Sequence, residues 1–160
     1  MFLNIIQNVN KFSYNIKCDI LFMSGGKFTL RAYDYFVQGY SCSESIVKEG
    51  IDNGYCREDL LPVATTFSGG MGSGCVCGAV AGAQMVLGAL YGRSNAKENP
   101  VIAKQKAKEL VVAFKEKYKF TCCKVLCQGL EGEEKRVHCA EMVEFCSDLL
   151  EDIIKVNVNG

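Results

Sequence analysis

Apolar residues recur every three or four positions along most of the chain, and no stretch alternates between apolar and polar residues as a strand does. A stripe from Ala103 to Tyr118 faces a row of lysines, which is typical of a helix with one buried and one solvated side. The clearest stripe, near the C-terminus, comprises Cys139, Met142, Val143, Cys146, Leu149, Leu150 and Ile153. We predict an all-α, compact single-domain bundle of about seven helices.

The bundle is predicted to pack around a Gly/Ala-rich central helix within residues 68–92. Gly74, Gly78 and Gly82 recur every four residues, so one face of this helix carries almost no side chains. A glycine inside a helix costs roughly 1 kcal/mol relative to alanine, and close approach of a neighbouring backbone would offset that cost. The apolar run from Cys75 to Leu90 is shorter than the ~18–20 residues that span a bilayer, so we expect no membrane association.

Three cysteines follow signals that start helices. A capping box that begins at Ser41 places Cys42 at the first helical position. Cys77 falls where a glycine-rich loop turns into the central helix, and Cys123 follows the predicted cap Thr121. Helix N-termini favour anions, so we expect the Cys77 thiol to ionise below its ordinary pKa of about 8.5. The alternative is that Cys77 is a small core residue, as buried free cysteines often are.

The composition favours thiol, redox or metal chemistry. The 160 residues include ten cysteines at irregular spacing, and the net charge is zero. A neutral chain lacks the basic face that nucleic acids require, and the helical stripes supply a core without the disulfides of a small secreted domain. Residues 1–27 lack the features of a signal peptide. We expect them to form a poorly ordered extension before a cysteine-rich helical domain over residues 28–160, in a cytoplasmic protein.

Several short motifs occur in a recognisable order over roughly residues 28–156. They are Gly39-Tyr40-Ser41-Cys42, Gly69-Gly70-Met71-Gly72, Cys77-Gly78-Ala79-Val80-Ala81-Gly82, Cys123 before Lys124-Val125-Leu126, and Cys139 at the start of the last helix. In this order they resemble the C_GCAxxG_C_C family of redox-active proteins, some of whose members use selenocysteine. The resemblance implies a redox role for four cysteines, namely Cys42, Cys77, Cys123 and Cys139.

Four other cysteines, Cys75, Cys122, Cys127 and Cys146, lie outside this pattern as we match it. Cys75 could replace Cys77 in the pattern, and Cys122 could replace Cys123, because each is close to its counterpart in sequence. Cys127 lies four residues after Cys123 and so shares its helix face, where the two could ligate together.

We consider three functions for the four-cysteine set. The first is thiol–disulfide exchange or electron transfer with an unidentified redox partner, in which Cys77 attacks and Cys42 or Cys123 resolves. The second is an iron–sulfur cluster or another soft metal held by Cys42, Cys77, Cys123 and Cys139, although their spacing is unlike that of ferredoxins or zinc ribbons. The third is a cysteine-rich helical domain without a redox role. The oligomeric state stays open.

A weaker interpretation concerns the glycine-rich loop as a cofactor site. Gly70, Gly72 and Gly74 resemble a phosphate-binding loop at a helix N-terminus. A dinucleotide fingerprint, however, requires a preceding strand within a βαβ unit, and here the pattern predicts a helix before the loop.

Overall fold

The computed structural model describes residues 30–155, and within them the chain forms seven α-helices and one π-helical turn. The helices are α1 (Ala32–Gln38), α2 (Cys42–Asp52), α3 (Leu60–Thr65), α4 (Gly78–Tyr91), α5 (Val101–Tyr118), α6 (Cys123–Leu126) and α7 (Gly132–Lys155), with the π turn at Gly70–Gly74. The predicted all-α class and helix number are confirmed. The extension predicted over residues 1–27 lies outside the described residues.

Local signals in the sequence set the start of α2. The Ser41 backbone N–H donates to Glu44 Oε2 at 2.8 Å, and the Glu44 N–H donates back to Ser41 Oγ at 3.4 Å. This is the predicted capping box, and it makes Cys42 the first residue of α2. Gly39, at φ 112°, ends α1 in the left-handed region and turns the chain toward this cap.

The central helix is α4, which packs against α2, α5 and α7. Its glycines allow the closest of these contacts. A Cβ built on Gly82 would lie 2.7 Å from the Ser43 carbonyl oxygen, and a Cβ on Gly78 would overlap the Cys42 sulfur. The predicted close approach of a second backbone is therefore confirmed at Gly82, where that backbone is the first turn of α2, whereas at Gly78 the nearest atom is the Cys42 sulfur. Gly74 precedes α4 and lies in the π turn.

An ion pair between the half-exposed Arg31 and the buried Glu49 joins α2 to the start of α1 and to α7. Arg31 Nε lies 2.8 Å from Glu49 Oε1, and Arg31 Nη2 donates to Ser147 Oγ and to Asp148 Oδ1, each at 2.7 Å. Ser147 Oγ donates to the other oxygen of Glu49 at 2.5 Å. Burial raises the pKa of Glu49, and the Ser147 hydrogen bond and the Arg31 charge act against that rise.

None of the helices within residues 30–155 has the length and apolar character that crossing a membrane would need.

Candidate redox site

A short β-type pairing brings two distant cysteines together. Val76 forms an isolated antiparallel bridge with Cys122. The Cys77 N–H donates to the Thr121 carbonyl at 2.7 Å, and the Cys123 N–H donates to the Cys75 carbonyl at 2.9 Å. The start of α4 is thereby fastened to the start of α6, and the backbones of Cys77 and Cys123 lie side by side.

Four cysteines line one open cavity of about 540 Å³ at this end of the bundle; they are Cys42, Cys123, Cys127 and Cys139. The walls also include the apolar side chains of Phe36 and Leu130 and the charged residues Lys124, Glu131 and Lys135. A cavity of this volume is in the range that small ligands occupy. Three of the four cysteines implied by the family resemblance thus share one solvent-reaching space.

One sulfur pair in this cavity joins α7 to the residue that ends α6. Cys127 Sγ lies 3.9 Å from Cys139 Sγ. A disulfide bond is about 2.05 Å long, so side-chain rotation without a large backbone shift would bring the two sulfurs to bonding distance. Cys127, 8% exposed, lies outside the four-cysteine pattern. Its spacing of one helical turn from Cys123 was the sequence signal that pointed to it.

The sulfur of Cys42 lies where α2, α4 and the glycine-rich loop meet. Backbone N–H groups of Gly69, Ser43, Gly78 and Cys42 itself act to lower its pKa, because they stabilise the thiolate. Burial outweighs them, and the pKa of the Cys42 thiol is raised. The site therefore holds preformed donors for a negative charge on this sulfur, although desolvation keeps the thiol protonated at neutral pH.

Cys77 is the N-cap residue of α4 and is 3% exposed. Burial raises the pKa of its thiol to about 12, the neighbouring Cys42 and Cys123 add to the rise, and the N–H groups of Val80 and Ala79 oppose it. The expectation that the pKa of Cys77 is lowered is wrong. The free-energy cost of removing a thiolate from water exceeds the stabilisation that the helix N-terminus gives it. Burial also argues against Cys77 as the attacking thiol, and Cys77 is not among the residues that line the cavity.

The pKa values of Cys123 and Cys139 are also raised, first by burial and then by Cys127. At Cys123 a cation opposes the rise, because Lys135 stabilises the thiolate. Cys123 is half-buried and lines the cavity, so it combines access with a nearby positive charge.

The two cysteines that could have replaced members of the set do not line the cavity. Cys75 is exposed, and the Cys122 thiol donates to the Gly74 carbonyl at 3.2 Å. The cavity instead contains Cys123. Cys42, Cys123 and Cys139 thus meet in one space, and Cys77 lies buried behind them.

The glycine-rich loop packs against α6. A Cβ on Gly70 would lie 2.8 Å from Cys123 Cβ, and a Cβ on Gly74 would lie 3.0 Å from Lys124 Cβ. Gly72 is exposed with open space around it. Because Gly70 and Gly74 lack side chains, the loop can pack closely against α6. A phosphate site at this loop stays a prediction.

Over residues 30–155, no three His, Cys, Asp or Glu side chains are placed to hold one metal ion. A soft metal or an iron–sulfur cluster at Cys42, Cys77, Cys123 and Cys139 stays a prediction, and we derive no step through one.

Alkylation should follow burial in the reduced protein. At pH 7 we expect iodoacetamide to modify the exposed Cys75 before Cys77 and Cys146, because a buried protonated thiol is a poor nucleophile. Mass spectrometry with fragmentation of the labelled peptides would give the rate at each position. Modification of Cys77 at pH 7 as fast as that of Cys75 would contradict the burial described here.

The raised pKa values also predict the pH dependence of stability. A thiol whose pKa is higher in the folded than in the unfolded chain stabilises the fold below its ordinary pKa of about 8.5. That contribution is lost as the pH rises toward the folded value of about 12 for Cys77. The free energy of unfolding should therefore fall above pH ~9, as measured by urea denaturation of the reduced protein.

These features define a class of protein, a small helical protein with a cysteine-lined cavity. The chain belongs to the C_GCAxxG_C_C family, since the family model described as "Putative redox-active protein (C_GCAxxG_C_C)" matches residues 40–153. The predicted resemblance is confirmed. No match was found among the curated proteins or among the solved structures.

Proposed function

We propose that the protein carries out thiol–disulfide exchange at the cysteine-lined cavity. The observation that carries the proposal is the contact of 3.9 Å between Cys127 Sγ and Cys139 Sγ in a wall of that cavity. Cys42 and Cys123 line the same space, so four thiols face a site that an incoming disulfide can enter. Membership of a redox-active family supports the same chemistry.

The geometry suits a dithiol that becomes a disulfide and returns. Oxidation of Cys127 and Cys139 joins Sγ to Sγ and releases two electrons and two protons to the acceptor. The bond would connect the end of α6 to the first turns of α7, and these segments are already in contact in the reduced protein. Little reorganisation is therefore needed between the two redox states.

The raised pKa values indicate the direction in which the pair works. Dithiols become strong oxidants when the protein stabilises their reduced thiolate form. Here burial raises the pKa of Cys139, and Cys127 adds to that rise. We therefore expect a reducing pair, with a potential nearer to about −270 mV than to the about −120 mV of strongly oxidising dithiols.

A redox titration tests the proposal. The protein would be equilibrated in dithiothreitol buffers of graded ratio, quenched in acid and labelled with a maleimide, and the mass would report how many thiols remain. We expect one two-electron transition whose midpoint potential shifts in Cys139→Ala, because the Cys127–Cys139 bond cannot form in that variant. Cys146→Ala is the matched control, because Cys146 lies on the same face of α7 but is fully buried in the core and outside the cavity lining.

Two results would contradict the proposal. One is a wild-type protein that forms no disulfide among its cavity cysteines at any ratio of oxidised to reduced dithiothreitol, and the other is Cys139→Ala with an unchanged transition.

Anaerobic purification with iron and sulfide analysis tests the alternative function, an iron–sulfur cluster. Stoichiometric iron lost from the cysteine variants would replace thiol exchange by a cluster function.

A further inference from the structure

Cys127 is the middle of three cysteines that follow one another around the cavity. Its backbone N–H donates to the Cys123 carbonyl at 3.0 Å, so the two residues are one helical turn apart, and its sulfur lies 3.9 Å from Cys139 Sγ on α7. All three residues line the cavity. Cys127 therefore has one cysteine a helical turn before it and a second beside its sulfur, and it could bond to either in turn.

We propose that Cys123, Cys127 and Cys139 form a three-sulfur relay in which Cys127 first resolves a mixed disulfide at Cys123 and then passes the bond to Cys139. The relay rests on the proposed thiol–disulfide exchange and adds an order of steps, a resolving residue and a storage pair. Its substrate is an organic disulfide small enough to enter the cavity.

Cys123 is the entry point because of its surroundings. It is half-buried in the wall of the cavity, whereas Cys127 is 8% exposed and Cys77 is 3% exposed. Lys135, which also lines the cavity, supplies a positive charge beside the Cys123 thiol. Cys42 lies in the same space, but its sulfur is enclosed by the backbone at Gly78, which leaves little room for a mixed disulfide.

The steps balance as follows. The Cys123 thiolate, after giving its proton to solvent, attacks one sulfur of the substrate; a Cys123–substrate disulfide forms and the first thiolate leaves and is protonated. The Cys127 thiolate then attacks Cys123 Sγ, which forms Cys123–Cys127 and expels the second thiol. The substrate has gained two electrons, and the two cysteines have lost them.

In the third step the Cys139 thiolate attacks Cys127 Sγ. The Cys127–Cys139 bond forms, the Cys123–Cys127 bond breaks, and Cys123 takes up a proton equivalent to the one that Cys139 lost. No net oxidation occurs in this step. It returns Cys123 to the thiol form while the protein stores one disulfide, which an external dithiol reduces to complete the cycle.

The experiment follows the order of disulfides in the full chain. Reduced protein is mixed with one equivalent of the chromogenic disulfide of thionitrobenzoate, quenched in acid at intervals and digested with trypsin. After the free thiols have been blocked, cleavage at Lys124 and Lys135 places Cys123, Cys127 and Cys139 on three different peptides. Cys122 shares the first peptide and Cys146 the third, so fragmentation of each linked pair assigns the bonded cysteine. Among the cavity cysteines we expect the Cys123 adduct first, then Cys123–Cys127, and Cys127–Cys139 as the end product; an adduct at the exposed Cys75 is the background that Cys75→Ser removes.

Variants separate the three steps. Cys139→Ala should accumulate Cys123–Cys127, and Cys127→Ser should stall at the Cys123 adduct, with release of the second thionitrobenzoate slowed at least ~10-fold by loss of the intramolecular step. Cys75→Ser is the matched control, because Cys75 is exposed outside the cavity lining, and it should keep the wild-type order. Circular dichroism checks folding, and the wild-type time course tests the order without any substitution.

The outcomes distinguish the relay from the function on which it rests. If the cavity cysteines form no disulfide in the wild type, both ideas are overturned. If a disulfide forms between Cys123 and Cys42, or if Cys127→Ser releases the second thiol at the wild-type rate, the relay alone is overturned and thiol exchange stands.

Discussion

Replacing Gly82 with alanine should lower the free energy of unfolding by up to about 2 kcal/mol, because overpacking costs about 1–3 kcal/mol and better helix propensity returns about 1 kcal/mol. The added methyl would lie 2.7 Å from the Ser43 carbonyl oxygen and 3.1 Å from Ser43 Cα. These are backbone atoms, so they cannot be displaced without moving α2 away from α4. Urea denaturation of the reduced protein measures the change.

Gly88→Ala is the matched control on the same helix. Nothing lies within 4 Å of a Cβ at Gly88, so only the propensity gain remains, and the free energy of unfolding should rise by about 0.5–1 kcal/mol. The two substitutions are chemically identical and should have opposite signs. Equal effects would contradict the close α2–α4 approach.

The Gly82 substitution should also displace part of the wall of the cysteine-lined cavity. The displaced segment is the first turn of α2, which begins with Cys42 in the cavity wall. The disulfide between Cys127 and Cys139 should form normally in this variant, because neither residue is on α2 or α4. Loss of stability with retained disulfide formation would show that the packing of α2 and the sulfur pair are separate features.

Replacing Arg31 with alanine should lower the free energy of unfolding by about 2–3 kcal/mol. Removing one partner of a fully buried ion pair costs about 3–5 kcal/mol, since a charge is left buried and unpaired. Glu49 is 4% exposed, but the Arg31 side chain is 43% exposed, so water already screens part of the interaction. We therefore expect a loss below the range for a fully buried pair. The hydrogen bond from Ser147 to Glu49 would remain.

The loss should depend on pH in a defined direction. Burial already raises the pKa of Glu49, and removing the Arg31 charge would raise it further. As the pH falls below that value, the carboxyl becomes neutral in the folded protein, and the unpaired charge disappears. The stability difference between wild type and Arg31→Ala should therefore be largest at neutral pH and shrink in acid.

Two further variants make this test specific. Arg57→Ala removes an ion pair with Asp59 in which the side chains are 86% and 65% exposed, and it should change stability by about 0.5 kcal/mol or less. Adding Glu49→Gln to Arg31→Ala should recover part of the loss, because the buried charge is gone. A double variant no more stable than the single one would contradict the charge argument.

Much of the fold was predictable because its signals are local. The stripe along α7 and the capping box before α2 depend only on residues three or four apart, and the structure contains both. The glycines of α4 predicted a close contact with another backbone, although they did not identify Ser43 of α2 as the partner. Helix-period patterns state which face is buried but not which surface covers it.

The candidate site was predictable only in part. Cys42, Cys123 and Cys139 were expected together and line one cavity, whereas Cys77 is buried behind it. Cys127 was outside the matched pattern, yet its sulfur lies 3.9 Å from that of Cys139. Its position depends on how α7 returns past the end of α6, and that path is set by long-range packing.

The sequence by itself determined the helices, the capping box of α2, the family and the residues able to carry thiol chemistry, because each depends on residue type and short spacing; the predicted cap Thr121 was wrong, since Cys122 is the N-cap of α6. Tertiary structure decided which sulfurs meet and in which direction their pKa values shift. The position of Cys77 at a helix N-terminus predicted a lowered pKa, but enclosure by the core raised it to about 12. Desolvation depends on every neighbouring element at once, and so it becomes known only when the helices are packed.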